Sequence, residues 1–437
     1  MVSTDPNSIL RNIGTSTPAR FLDRFSPVDN SLIFKTPISG DSEVDELINN
    51  IKNNLRKFQD LGVIKASQIL LSVCGELQRN RDEINHCVFL ETGKTEKLIE
   101  GEFETAANFM IALSGLVQFE AGRVIPSANP DKNVYTRRFP IGIAALITSH
   151  NTPLPNYAWK LAPSFLSVNA SILKPSEFTS ESAQRFVECF NSVGAPEFMV
   201  NLLHGGASTA QSLISKKPDL ISFTGSFDTG MKIKSATSSY SPKLILEMGG
   251  SNPIIVCESA DIKKAATIIA ESAISNSGQR CASASRLIVH DSISEEMMTL
   301  LEEKITAMLD VNQRETFSGC LVDINAKNKH EDLLKKARTS GSIVLEFDYE
   351  KSSEGCYVNP AIVLRNPKNS EDTVEEVFSP ILFAENFETN QQALAKANST
   401  PYGLTAAIWT SDFYEASFFS NNIKSGVVNV NGPTHGA

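Results

Sequence analysis

Two stretches carry side chains that could make and break bonds. In SNSGQRCASASRLIVH, residues 275–290, Cys281 follows a Gly-Gln-Arg turn and precedes the small residues Ala282, Ser283, Ala284 and Ser285. Small neighbours let a ligand and backbone N–H groups approach the sulfur, and a thiolate is a strong nucleophile once its pKa is lowered. An isolated cysteine is more often a buried structural thiol. Upstream, KLILEMGGSNPIIV places Glu247 at the end of an apolar strand, before Met248, Gly249 and Gly250. A carboxylate at a strand end, beside a glycine pair that admits chain or ligand, is well placed as a general base.

Three more strand ends carry polar groups. Asn151 follows an apolar strand and precedes Thr152-Pro153. Its amide could donate to a developing oxyanion, or it could cap the next helix. L-K-P-S-E ends a strand with Lys174 and Glu177. The carboxylate could accept from ribose hydroxyls and the ammonium could add a donor; a solvated turn is the plainer alternative. F-T-G-S-F-D-T-G, residues 223–230, follows a strand and opens a helix at Gly225 and Ser226. Its N–H groups and helix N-terminus suit a pyrophosphate. It is not G-x-G-x-x-G, and Gly and Asp are ordinary turn residues.

The elements that would position these groups read as follows. Residues 1–40 are Pro-, Ser- and Thr-rich and read as an extended lead-in. From Ser42, a plausible N-cap, Val44, Leu47, Ile48, Ile51, Leu55 and Phe58 recur at helical spacing. Ile69, Leu70, Val73 and Leu77 mark a second helix, and the helical pattern runs on to about Gly122. Residues 123–140 hold two β-prone pieces around a Pro/Asn/Asp turn, a hairpin pattern. From Ile141 the chain alternates strand and helix up to KLILEMGG, which predicts a parallel, doubly wound sheet with ligands at the carboxyl ends of its strands. A second alternation runs from about Gly250 to the end, with PIIVC, RLIVH, SIVLEF, AIVL, PILFAENF, TAAIWT and SGVVNVN as strands. The fold class is therefore α/β with two doubly wound lobes.

Composition excludes several classes. A chain of 437 residues, 41 % hydrophobic and 21 % charged, has the size for two or three domains and an ordinary soluble make-up. The net charge of −10 gives no bias toward nucleic acid or anionic membrane. No apolar run is long enough to span a membrane, and the N-terminus has no basic-then-apolar signal pattern. The seven cysteines are scattered without C-x-x-C pairs, which points to reduced thiols in a cytoplasmic setting rather than a disulfide framework or a metal site.

Taken in order, E-T-G-K at 91–94, N-T-P-L at 151–154, L-K-P-S-E at 173–177, F-T-G-S at 223–226, L-E-M-G-G at 246–250, G-Q-R-C at 278–281, E-E-V-F-S-P at 375–380 and P-Y-G-L at 401–404 resemble the NAD(P)-dependent aldehyde dehydrogenase superfamily over nearly the whole chain. The resemblance implies oxidation of an aldehyde to a carboxylic acid. Cys281 would form a thiohemiacetal and then a thioester. Asn151 and the Cys281 backbone N–H would hold the oxyanion, and Glu247 would activate the hydrolytic water. Lys174, Glu177, Gly225 and Ser226 would contact the dinucleotide. Glu376 and Phe378 would meet the nicotinamide ribose and ring. Glu177 fits a free ribose 2′-hydroxyl and so favours NAD, while Lys174 leaves NADP open. No metal is implied, and the partner is a small-molecule aldehyde rather than nucleic acid or membrane.

The resemblance also implies a dinucleotide-binding domain at 1–122 and 141–247, an oligomerisation hairpin at 123–140, and a catalytic domain at 248–437. Relatives continue past the equivalent of NVNGPTHGA, residues 429–437, into a strand used in oligomerisation. The catalytic domain thus reads as truncated at its C-terminus, and homo-oligomer formation as weakened. A CoA-acylating relative is the nearest alternative, against which Glu247 argues. A non-catalytic, dinucleotide-binding remnant is the other. His150 stands where the family has an aromatic residue and reads as a packing substitute. Arg280 beside the nucleophile leaves a preference for an anionic substrate open.

Overall fold

The computed structural model describes residues 20–116, 119, 122–310, 317–350, 353–365 and 375–435. The lead-in is not merely extended. β1, Phe21–Phe25, pairs antiparallel with β2, Leu32–Pro37; residues 1–19 lie outside the described part. α1 spans Asp41–Leu61 and buries Val44, Ile48, Ile51 and Phe58, the stripe that the helical spacing predicts. Its N-cap is Gly40 rather than Ser42. The Glu43 carboxylate reaches back to accept from the Gly40 N–H at 3.1 Å, and Ser42 sits in the first turn with its hydroxyl on Glu43. α2, Val63–Arg79, α3, Arg81–Thr92, and α4, Glu96–Leu116, follow. Of the expected extension to Gly122, residues 117, 118, 120 and 121 lie outside the described part. β3, Val124–Ile125, and β4, Val134–Tyr135, then form a two-stranded antiparallel hairpin with exposed side chains.

The chain divides into two compact units. The first comprises Met1–Phe25, Leu32–Glu91 and Ile99–Glu247; the second comprises Ser26–Ser31, Thr92–Leu98 and Met248–Ala437. The short segments Ser26–Ser31 and Thr92–Leu98 thus go with the second unit, not with the first as the sequence partition has it. Specific contacts hold them there. The Cys356 N–H donates to Pro27 O at 2.8 Å, and Gly93, at φ +65°, packs so closely on Cys320 that a Cβ would collide with its side chain.

The first unit is built on a five-stranded sheet. Its strands are β5, Ile143–Ile147; β6, Ala170–Lys174; β7, Val200–Leu202; β8, Leu220–Gly225; and β9, Lys243–Met248, in the order β7-β6-β5-β8-β9. β5 pairs in parallel with β6 and β8, and β6 with β7. β5 and β6 are buried along their whole length, as expected of parallel strands covered on both faces. The connecting helices are α5, Pro153–Leu166; α6, Ser180–Ser192; α7, Ala207–Ser215; and α8, Phe227–Ala236.

The second unit holds seven strands: β10, Asn252–Val256; β11, Ala284–His290; β12, Ile343–Glu346; β13, Ala361–Leu364; β14, Ile381–Phe387; β15, Thr405–Trp409; and β16, Val427–Val430. Their order is β12-β13-β14-β11-β10-β15-β16, with every pair parallel except the edge pair β12–β13. The period of two is visible in its cores. Ile254, Val256, Leu287 and Val289 pack with α9, Ile262–Ile274, and α10, Ser294–Leu309. Ile255 and Ile288 face the other way, toward Ala393 and Phe419. The remaining helices are α11, Ile324–Thr339; α12, Asn390–Ala397; and α13, Phe413–Asn422. The last two have apolar patterns too short to stand out in the sequence.

Candidate active-site residues

In the first unit, parallel pairing sets the carboxyl ends of β6, β5 and β8 side by side, and the residues singled out in the sequence follow those ends. Asn151 is buried in the loop after β5. Its Oδ1 accepts from Ser149 Oγ at 2.6 Å, and Asn156 Nδ2 donates to Ser149 Oγ and Thr152 Oγ1 at 3.3 and 3.2 Å. The N-cap of α5 is Thr152, without a side-chain cap, because Pro153 at the first helical position leaves one donor fewer to satisfy. Asn151 is therefore not the cap. The Ser149 bond orients its amide, with Nδ2 as the donor end.

Lys174 ends β6 and is buried, its Nζ donating to Pro175 O at 2.8 Å. Burial pulls its pKa down, and the Glu177 charge partly restores it. Ser176 caps a short 3-10 turn, Glu177–Thr179, by accepting from the Phe178 N–H. Glu177 is half-buried and leans over Gly206, where a Cβ would sit 3.6 Å from its Oε1. Gly225 ends β8 against the Phe223 ring, which leaves no room for a side chain. Ser226 is exposed and caps α8, accepting from Thr229 N at 3.4 Å and bonding Thr229 Oγ1 at 2.9 Å. Its hydroxyl thus already has a structural task.

Glu247 is the exposed next-to-last residue of β9. Its charge reaches Lys160 on α5, a residue the sequence reading passed over. Lys160 is buried, donates from Nζ to Ser222 Oγ at 2.8 Å, and has its pKa lowered to about 8 by burial against the opposing pull of Glu247. The signal was present: Lys160 is the one charge in the apolar helix PLPNYAWKLAPSFL, and a lysine there must find a partner or lose its proton.

In the second unit the nucleophile candidate lies on a turn before β11. α9 ends at Ile274, and a 3-10 turn, Ser275–Gly278, carries Asn276, Ser277 and Gly278 in the left-handed region. A Cβ on Gly278 would collide with the Ser379 carbonyl. Such backbone is costly for the two non-glycine residues and persists only where surroundings enforce it. They do so here. Gln279 Nε2 donates to Cys320 O at 3.0 Å while its Oε1 accepts from the Val322 N–H at 3.1 Å. Asn252, at the start of β10, donates from Nδ2 to Cys281 O at 2.7 Å and Ser283 O at 2.9 Å. Thr434 Oγ1 donates to Ala282 O at 2.6 Å. Asn252 and Thr434 were not legible as site residues, since their partners lie far away in sequence.

Cys281 alone among the seven cysteines is not fully buried. Burial pushes the thiols of Cys74 and Cys189 up to about 11 and about 12, which makes them inert. Glu376 is half-buried with its carboxyl over Gly249, so closely that a Cβ there would overlap it. Burial raises its pKa to about 7, against the pull of Lys329 and a hydrogen bond from the Gly250 backbone. Phe378 is half-buried at φ +50°, a strained value for an aromatic residue.

The family follows from comparison with known proteins. The model of the aldehyde dehydrogenase family matches residues 14–437, and the chain belongs to that family. It is 30 % identical over 384 residues to a betaine aldehyde dehydrogenase of Bacillus subtilis, covering 86 % of this chain and 78 % of the relative. It is 28 % identical over 428 residues to a D-glyceraldehyde dehydrogenase (NADP(+)) of Thermoplasma acidophilum, covering 96 % and 86 %. The crystal structure of PnpE in complex with nicotinamide adenine dinucleotide superimposes with a TM-score of 0.90 at 29 % identity, covering 97 % of this chain and 89 % of that one. The α/β aldehyde dehydrogenase fold expected from the sequence is thereby established.

Proposed function

We propose that this chain oxidises an aldehyde to a carboxylic acid with NAD through a covalent intermediate on Cys281. The observation that carries the reading is the nucleophile turn: one partly exposed thiol, three residues after a left-handed run at Asn276–Gly278, with the Gln279 side chain bonded to the Cys320 carbonyl and Asn252 to that of Cys281. The Cys281 sulfur adds to the carbonyl carbon, and the carbonyl π electrons move to oxygen. The Asn151 amide and the Cys281 backbone N–H donate to that oxyanion. When bound, NAD supplies the acceptor for the hydride that leaves the same carbon, so that a thioester remains on Cys281. Glu247 takes a proton from water, the water oxygen attacks the thioester carbon, and the thiolate departs with release of the acid.

The donor set of the first unit fits a dinucleotide. Lys174, the Glu177 carboxylate and the start of α8 behind Gly225 and Ser226 lie at the carboxyl ends of β6 and β8, the two strands that flank β5, where cation, ribose acceptor and helix N-terminus suit a diphosphate-linked nucleoside. Glu376 and Phe378 would hold the nicotinamide ribose and ring. Glu177 would repel a 2′-phosphate, which favours NAD over NADP. The exposed hairpin, with Val124 and Tyr135 pointing to solvent, is our candidate for self-association. No described helix is long and apolar enough to cross a membrane. The described cysteines form no disulfide, which is consistent with a cytoplasmic location.

The test is NADH formation by the purified chain with NAD and a panel of aliphatic, aromatic and semialdehyde substrates, with and without CoA. Steady turnover without CoA is the expected result. Turnover only with CoA would assign thiolysis in place of hydrolysis by Glu247. A folded protein that binds NAD and never reduces it would overturn the enzyme reading.

A further inference from the structure

Phe178 directly follows Glu177. Three contacts fix it. Arg24, from β1, lies over its ring at 4.7 Å from the centroid and donates from Nε to Phe178 O at 3.2 Å. The same guanidinium donates from Nη2 to Glu91 O at 2.7 Å, which anchors it to α3. The imidazole of His150 meets the Phe178 ring edge-on, with centroids 5.6 Å apart and planes at 81°. The far end of the turn is pinned as well. Tyr157 Oη donates to Thr179 O at 2.8 Å, and the buried Glu91 carboxylate accepts from the Glu181 and Ser182 N–H groups at 2.7 and 3.2 Å. The turn carrying Glu177 is thus held at both ends, and the His150–Phe178 ring pair links it to the loop after β5. That loop is the one that carries Asn151, and His150 is its immediate neighbour.

We propose that His150 and Phe178 are positioning residues that couple the ribose-binding carboxylate of Glu177 to the oxyanion amide of Asn151, with Arg24 as the clamp that holds the Phe178 ring in place. The inference rests on the function proposed above. The turn that seats the cofactor on Glu177 also holds Phe178, and through the edge contact Phe178 holds His150 and the Asn151 loop. Amide misplacement by a fraction of an ångström is enough to slow acylation.

A double-mutant cycle tests this. His150→Ala, Phe178→Leu and the double variant are compared with the wild type for NAD dissociation constant and for the rate of the NADH burst. Alkylation of Cys281 by iodoacetamide reports whether the nucleophile turn is intact. Each single change is expected to weaken NAD binding and slow the burst by about three- to tenfold, with the double variant no worse than the poorer single one. His150→Phe should restore both quantities, and alkylation should be unchanged throughout. Multiplicative effects in the cycle, or a slowed burst in His150→Ala with NAD affinity intact, would overturn the coupling. If the wild type shows no Cys281-dependent burst, the catalytic reading fails instead, and the cycle on NAD affinity still tests whether His150 reaches Glu177 through Phe178.

Discussion

In the first unit, Asn151, Lys174 and Gly225 follow or end β5, β6 and β8; in the second, Asn252 begins β10, and Cys281 and Phe378 precede β11 and β14. The candidate residues of the first unit thus collect at the carboxyl ends of its parallel strands, and those of the second unit at the amino ends. The difference has a physical consequence. A chain leaving a parallel strand heads into a helix N-terminus, here α5 and α8, or α6 by way of a 3-10 turn, where unpaired N–H groups and the positive end of the dipole favour anions. Little extra architecture is needed to bind a phosphate-bearing cofactor there. The chain that enters β11 has just left the C-terminus of α9, which offers carbonyls. Donors and rigidity must then come from elsewhere, and the second unit takes them from Asn252, Gln279 and a run of left-handed residues.

If this division is right, the largest effect belongs to the second unit. Cys281→Ser should lower turnover by at least about a thousandfold while NAD binding persists in a calorimetric titration. Loss of NAD affinity in the same variant would blur the two halves. Next comes the carboxylate that ends the first unit's edge strand. Glu247→Gln should cut steady-state turnover about a hundredfold but leave the NADH burst, because acylation needs no water-activating base. Equal loss in both phases would remove that role from Glu247.

Smaller effects separate the two ways of holding a site. Asn252→Ala takes away two donor bonds to carbonyls and the acceptor for the Thr405 N–H. It should cost about 2–4 kcal/mol in denaturant unfolding and lower kcat. Ser226→Ala removes only an exposed helix cap, about 1 kcal/mol, and should raise KM for NAD modestly with kcat unchanged.

The mildest prediction is a pH dependence. The folded pKa of Glu376, about 7, lies above its ordinary 4.5, so between those values the folded state holds a proton that the unfolded chain has lost. Its contribution to stability therefore falls as pH rises through that window, and Glu376→Gln should flatten this slope. KM for NAD should fall as pH rises through about 7, since ribose hydroxyls bond best to the ionised carboxylate, and the variant should show no such step.

Much of the first unit was legible because strand period, buried runs and turn residues are local signals. β5, β6, β8 and β9 stand where IGIAALITS, SILKPSE, DLISFTGS and KLILEMGG predict strands. The cap at Gly40 was missed because Ser42 is the commoner capping type, while the Glu43 side chain made glycine sufficient. β7 and α7 lack a long apolar pattern, and α12 and α13 are short. The antiparallel pairing of β1 with β2 is a matter of partner choice, which composition does not encode.

The same distinction governs the site. Cys281, Glu247, Asn151, Lys174 and Glu177 stand out as candidates by residue type at a strand end or glycine turn. The sequence by itself also determined the α/β alternation, through a period of two interrupted by helical spacing. Only the tertiary structure decided that Lys160 is buried near Glu247, that Asn252 bonds the carbonyls of Cys281 and Ser283, and that Arg24 covers a ring 154 positions away. Those facts depend on which groups lose their water and which partners the folded chain supplies, and neither quantity is a property of local sequence.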